Sequence, residues 1–327
     1  MRDHRPAIAP QPEFPIRLVA LDIDGTLVGP DVRLSDRTIS VIREASRRGV
    51  RVSLATGRMP SSAVVFANRL GLTEPIVGHQ GAVIRAMPAP GAWTDDALSP
   101  FRGPIGKLLH HEPMRPDVVR EALAWCAAND LDPHLNHLER ILVQEGDPRF
   151  ADYSAYLGKD PDVVPDLVAS VRAPVSKVIS VGEPPRPMEL IAEARRLFAG
   201  RASPTVSHPR FLEFVAPGVS KGRAVSWLAH RAGIPMGQVL TMGDALNDLE
   251  MIVDAGHGAA MATAPAEVRL GARYVAAPVD EDGAAELIEL LVLASPATAR
   301  RNAARLEEEA RAIRATIAGP AGLEANG

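Results

Sequence analysis

Six positions stand out by residue type and spacing: Asp22, Asp24, Thr56, Lys221, Asp244 and Asp248. Asp22-Ile23-Asp24-Gly25-Thr26 follows the short apolar run Ile16–Leu21, the pattern of a strand buried on both faces that ends in a polar loop. Two acids in an Asp-x-Asp turn can both face one phosphoryl group, one as nucleophile and one as proton donor to the leaving oxygen. Gly25 lets the chain turn away sharply. A second loop, Ala55-Thr56-Gly57-Arg58, follows the strand-like Val50, Val52 and Leu54. Thr56 offers a hydroxyl and adjacent backbone donors to a phosphate oxygen. Lys221 sits in the first turn of a helix capped by Ser220, where helix amides and positive charge favour an anion. Val239–Met242 is a third apolar strand, leading into Gly243-Asp244-Ala245-Leu246-Asn247-Asp248. Asp22, Asp24 and Asp244 thus stand at predicted strand ends with Asp248 close behind, and such hard oxygen donors, with few nitrogen or sulfur ligands nearby, suit Mg²⁺.

These loops need a scaffold that brings strand ends together. Ser35 opens a helix carrying Ile39, Ile42 and Ala45, and Gly49 closes it. Pro60 starts a further helix through about Leu70, and Pro75–Val77 opens another strand that runs into Gly78-His79-Gln80-Gly81. The alternation of strand and helix predicts a parallel, right-handed α/β sheet with ligands at the strands' C-terminal ends. From about Ala86 to Pro204 prolines become dense. Strand-like runs Ile141–Val143 and Lys177–Val181 lie among helical stretches Asp117–Ala128 and Met188–Phe198, the signature of an inserted α+β domain. The α/β rhythm resumes after Phe211–Val215. The expected organisation is a tail over 1–15, a Rossmann-like core from 16–85 and 206–295, an inserted α+β cap over 86–205, and a solvated helix or frayed tail over 296–327.

The 327 residues suffice for two domains. A net charge of -4 gives no basic excess for nucleic acid, and no apolar run approaches the roughly 18 residues needed to cross a bilayer. A single cysteine, Cys126, precludes an intrachain disulfide and fits a reducing, cytoplasmic setting. Cys126 reads as a core residue, and His110-His111 as surface. His134, Asn136 and His137 cluster in the insertion without ligand spacing or a carboxylate partner in the sequence. Lysine is scarce: Lys107, Lys159, Lys177 and Lys221 are the whole complement, which makes each worth inspecting.

With these motifs in order, the chain resembles the haloacid dehalogenase (HAD) superfamily of phosphatases, in its Cof-like branch with a type IIB α+β cap, from about Ile16 to Leu293. Asp22–Thr26 resembles the first motif, Ala55–Arg58 the second, Ser220-Lys221-Gly222 the third and Gly243–Asp248 the fourth. The resemblance implies a phosphatase acting through an aspartyl-phosphate at Asp22, with Asp24 as acid and base. It implies Thr56, Gly57, Lys221 and Asn247 on the phosphate. Mg²⁺ would be held by Asp22, the Asp24 carbonyl, Asp244 and Asp248, and Arg58 and Gln80 would be candidate substrate contacts. Asp24 itself favours phosphate-ester chemistry over ion pumping or dehalogenation. The expected partner is a small phosphorylated metabolite such as a sugar phosphate, and the expected form a monomer or small homo-oligomer. A phosphomutase, or a phosphometabolite-binding protein with weak turnover, are the alternatives. The chain departs from the family at Gln80-Gly81-Ala82, where Asn-Gly-Ala is usual, and at Ala262-Thr263-Ala264, where Gly-Asn-Ala is usual.

Overall fold

The computed structural model describes residues 10–89, 92, 103–147 and 161–318. They form two compact units. One takes the described residues up to Leu54, Arg69–Thr73 and those from Val225 on; the other takes those of Ala55–Asn68 and Glu74–Ala224.

The first unit is built on five parallel strands: β1 (Leu18–Leu21), β2 (Arg51–Leu54), β12 (Val239–Gly243), β13 (His257–Met261) and β14 (Tyr274–Ala276), in the order β14-β13-β12-β1-β2. Every residue of β1, β12 and β13 is buried, as a parallel sheet covered on both faces requires. The register sets Leu21 opposite Met242 on one side and Leu54 on the other. The loops that leave β1 and β12 therefore start side by side. Ser35 caps the helix Asp36–Arg47, its hydroxyl accepting from Thr38 N at 3.0 Å, and Val41, Ile42 and Ala45 form its buried face. The parallel sheet core matches the expected fold class.

Two ends of this unit differ from expectation. Within the expected tail, residues 1–9 lie outside the described residues. The following segment is tied down: Glu13 N donates to Gly237 O at 2.7 Å, and the Phe14 ring packs edge-on to His257 at 4.7 Å. At the other end, residues 319–327 lie outside the described residues, and the helix Pro296–Ala318 is docked rather than solvated. Its buried residues Ala299, Ala303, Leu306 and Ala310 follow helical spacing, and Arg273 pairs with Glu307 at 3.1 Å. Three of those four residues are alanines, so the stripe carries little hydrophobic signal in the sequence.

In the second unit, β6 (Asp132–His137), β7 (Arg140–Gln144), β8 (Asp162–Val164), β9 (Lys177–Val181), β10 (Ser203–His208) and β11 (Phe211–Val215) form a six-stranded sheet, ordered β10-β11-β9-β6-β7-β8. Helices Pro116–Ala128 and Arg186–Leu197 contribute Val119, Leu123, Leu190 and Ala194 to its core, around Trp125, Phe198 and Phe214, whose rings stand 5.1–6.0 Å apart. A smaller antiparallel sheet joins β3 (Ile76–Gly78), β4 (Val83–Arg85) and β5 (Leu108–His111). Phe211–Val215, which falls within the expected core segment 206–295, instead pairs antiparallel with β9 and β10 in the second unit. A continuous apolar run reads alike in either kind of buried sheet, which is why the sequence does not assign it. The second loop, from Ala55 to Arg58, belongs to this unit too, with Ala55 bridging Val77 in parallel.

Candidate active site

In the first unit, the acids gather at the C-terminal ends of β1 and β12. Asp22 extends β1 by one residue, its N–H donating to Met242 O at 3.0 Å, so its side chain leaves the sheet where the β12 loop begins. Asp22, Asp244 and Asp248 each present a carboxylate oxygen within 4.8 Å of the other two. Asp22 and Asp248 are buried, and Asp244 is half-buried. Asp248 has one oxygen committed to backbone: Oδ2 accepts from Asp244 N at 3.1 Å and from Ala245 N at 3.0 Å, which fixes the loop carrying Asp244. Asn247 lies in the same short turn, Leu246–Asp248.

Gly25 is required by this packing. Its φ of 75° lies in the left-handed region, and a Cβ there would come within 2.1 Å of Asp244 Oδ2. The turn is closed by Gly25 N donating to Val28 O at 2.8 Å. Asp24, by contrast, is exposed. The structure gives one buried acid and one that meets solvent: Asp22 is still hydrogen-bonded to the neighbouring strand, whereas Asp24 lies beyond it in the loop.

Three clustered carboxylates, two of them buried, need a cation to offset their repulsion and desolvation. The donors are all hard oxygens, so the group fits a divalent metal.

In the second unit, Thr56 is buried, and its Oγ1 accepts from Arg58 N at 3.1 Å, which leaves its hydroxyl proton to be donated elsewhere. Thr56 N donates to Val77 O at 3.0 Å and Gln80 N to Thr56 O at 3.1 Å, so the loops after β2 and β3 lock together. Lys221 is 1% exposed in the first turn of the helix Lys221–Arg231, and Ser220 Oγ accepts from Arg223 N at 3.1 Å as that helix's cap. The Arg58 guanidinium lies over the Phe66 ring, 5.0 Å from its centroid. Gln80, the other expected substrate contact, is buried, its Nε2 donating to Glu213 Oε2 at 3.0 Å. Its longer side chain spans to β11. Thr263, the other departure, is exposed in the first unit.

The lesser candidates resolve as follows. His134 is buried against Asp147, Nε2 to Oδ2 at 2.5 Å, a carboxylate partner thirteen residues away that no local spacing announces. His111 is not surface: its ring stands edge-on to His137 at 5.9 Å and Nε2 lies 3.0 Å from Ser176 Oγ. Burial, with His137, Arg85 and His110 nearby, lowers its pKa to about 4. Cys126 is core, and burial raises its thiol to about 12. Sequence reasoning missed His79, fully buried with Nε2 2.7 Å from Leu138 O; burial and then the Lys177 charge lower its pKa to about 3. It also missed the pair Lys177–Glu213, for which the scarcity of lysine was the one available signal.

The profile described as haloacid dehalogenase-like hydrolase matches residues 19–288. The chain belongs to that family. It is an enzyme of the phosphatase kind in the Cof-like branch. Among its relatives, the HMP-PP phosphatase of Serratia proteamaculans is 28% identical over 248 residues, covering 76% of this chain and 84% of that protein. The 5-amino-6-(5-phospho-D-ribitylamino)uracil phosphatase YcsE of Bacillus subtilis is 28% identical over 280 residues, 85% of this chain and 96% of that one. A haloacid dehalogenase-like hydrolase structure from Bacteroides thetaiotaomicron is 27% identical with a TM-score of 0.68, covering 84% of this chain and 99% of its own. A HAD subclass IIB sugar phosphatase shares the fold at 20% identity, with a TM-score of 0.67 over 84% of this chain and 98% of that one. HAD phosphatases use a divalent metal, and the Asp22–Asp244–Asp248 group is consistent with one. Among the described residues no helix is long and apolar enough to cross a membrane.

Proposed function

We propose that this enzyme hydrolyses a small phosphate monoester, a sugar phosphate or similar phosphometabolite, with Mg²⁺ and through an aspartyl-phosphate on Asp22. The observation that carries the reading is the cluster of Asp22, Asp244 and Asp248 at neighbouring strand ends, closed by a glycine that no larger residue could replace. Asp22, the Asp24 carbonyl and Asp244 would hold the ion, with Asp248 ordering the loop. A bound Mg²⁺ supplies neutralisation of the clustered carboxylates and of phosphoryl oxygens.

In the first step an Asp22 oxygen forms a bond to phosphorus as the bond to the leaving oxygen breaks, and Asp24 gives that oxygen its proton. In the second, water attacks phosphorus, Asp24 takes the proton, and the acyl phosphate bond breaks to return Asp22. Asp24's exposure supports this division, since an acid and base that serves both leaving group and water has to reach both. The Thr56 hydroxyl, the Gly57 amide, Lys221 and Asn247 bind phosphoryl oxygens and offset developing charge. Arg58 contacts the rest of the substrate. Substrates of the relatives, HMP-PP and a phosphoribitylamino uracil, are small phosphorylated metabolites and support the same class here. The setting proposed is cytoplasmic.

The test is turnover of an aryl phosphate with Mg²⁺, followed by a screen of sugar phosphates, nucleotides and cofactor phosphates. Hydrolysis releasing inorganic phosphate is expected; isomerisation without release, or ligand-induced thermal stabilisation without turnover, would contradict it.

A further inference from the structure

Within the second unit, one buried network touches the loop assigned above to phosphate. The Lys177 ammonium, on β9, donates to Gly57 O at 2.9 Å and pairs with Glu213 Oε2, on β11, at 2.7 Å. Both side chains are 2% exposed. Gln80 Nε2 donates to the same Glu213 oxygen at 3.0 Å, and Ser207 Oγ on β10 donates to Glu213 Oε1. Gly57 packs so closely on Gln80 that a Cβ would lie 2.4 Å from its Nε2.

Each carbonyl of the tripeptide Thr56-Gly57-Arg58 is thereby held by a different donor. Thr56 O accepts from Gln80 N, Arg58 O from His79 N at 3.0 Å, and Gly57 O from Lys177 Nζ. The first two are backbone contacts that any side chains would permit. The third depends on one side chain. With Arg58 N committed to Thr56 Oγ1, the Gly57 amide and the Thr56 hydroxyl proton are what this tripeptide can offer an anion apart from the Arg58 guanidinium. Rotation of the Gly57–Arg58 peptide, which carries both Gly57 O and Arg58 N, would take Arg58 N off Thr56 Oγ1 and release the Thr56 hydroxyl.

We propose that Lys177 is a positioning residue: its ammonium, fixed by Glu213, holds the Gly57 carbonyl, and with it the peptide whose Arg58 N–H orients Thr56 Oγ1, so that the Thr56 hydroxyl stays aimed at the phosphoryl group. The inference rests on the reading of the Thr56–Gly57 loop as phosphate-binding. A buried ion pair contributes little net stability, because desolvation offsets the attraction, so stability alone gives no reason for a lysine here. What the pair supplies is a strong donor at a fixed place.

The test compares two substitutions that abolish the same ion pair. Lys177→Met removes the donor to Gly57 O; Glu213→Gln leaves it, with an amide oxygen still able to accept from Lys177. For aryl phosphate hydrolysis and for inhibition by inorganic phosphate, measured well below both melting temperatures, Glu213→Gln lowers kcat by about threefold at most. Lys177→Met lowers it at least about tenfold further and weakens phosphate inhibition by about fivefold or more, as loss of near-ångström positioning would. The double variant, with no buried charge, recovers melting temperature but keeps the kcat of Lys177→Met. Equal losses in the two single variants, or a double variant whose kcat recovers along with its melting temperature, would overturn the proposal. Absence of wild-type turnover would instead overturn the phosphatase reading beneath it.

Discussion

The acid cluster of the first unit and the lysine network of the second solve opposite electrostatic problems. At the ends of β1 and β12, three carboxylates stand together and need a cation from outside the chain. Between β9, β11 and the Gly57 loop, the charges cancel internally: one ammonium and one carboxylate, with a neutral donor on each carboxylate oxygen. A site that must accept a metal and a phosphate keeps unbalanced charge, and the structure that supports a loop does not. Charge balance therefore separates groups that meet ligands from groups that hold those groups in place.

The largest expected effect breaks the first side of this contrast. Chelation by EDTA, or Asp244→Asn, lowers kcat by about 10³-fold or more, because the transition state loses its main charge neutralisation. Restored Mg²⁺ returns activity to the chelated wild type but not to the variant. Next comes the second side. Lys177→Met costs about 3–5 kcal/mol of stability in urea unfolding, the penalty of leaving Glu213 buried without its partner, whereas Asp244→Asn raises stability in metal-free buffer by relieving repulsion.

These contrasts also explain what the sequence could reveal. Asp22, Asp24, Asp244 and Asp248 are legible because short-range spacing and a preceding apolar run place them at strand ends. The helix at Ser35 and strands Lys177–Val181 and Phe211–Val215 are legible for the same local reasons. The network is not, because residues 57, 80, 177, 207 and 213 meet only through the sheet order β10-β11-β9, which no local pattern states. His134 with Asp147 is hidden likewise, and the docked alanine stripe of Pro296–Ala318 is hidden by weak hydrophobicity.

Smaller effects of opposite sign follow from the buried His79 and the half-buried Asp254. His79 in the second unit has a pKa near 3, below the unfolded value near 6.5. Its contribution is full above pH 6.5 and is lost as pH falls toward 3, so amide-exchange protection around His79 and Leu138 should weaken on acidification. In the first unit, burial and then Glu250 raise Asp254 to about 6. Its penalty is full above pH 6 and is relieved as pH falls through 6 toward 4. Asp254→Asn should accordingly stabilise the protein at pH 7.5 by about 1 kcal/mol, discounted for its partial exposure, and by nothing measurable near pH 4.

The most direct test of the central claim is Asp22→Asn, assayed with saturating Mg²⁺ and an aryl phosphate beside wild type. The amide is isosteric, so the fold is kept. Loss of turnover by about 10³-fold or more, together with loss of the acid-stable phosphoryl adduct that rapid quench detects by mass on wild-type Asp22, is the predicted result. Turnover within a few-fold of wild type, or an adduct that persists in the variant, would contradict it.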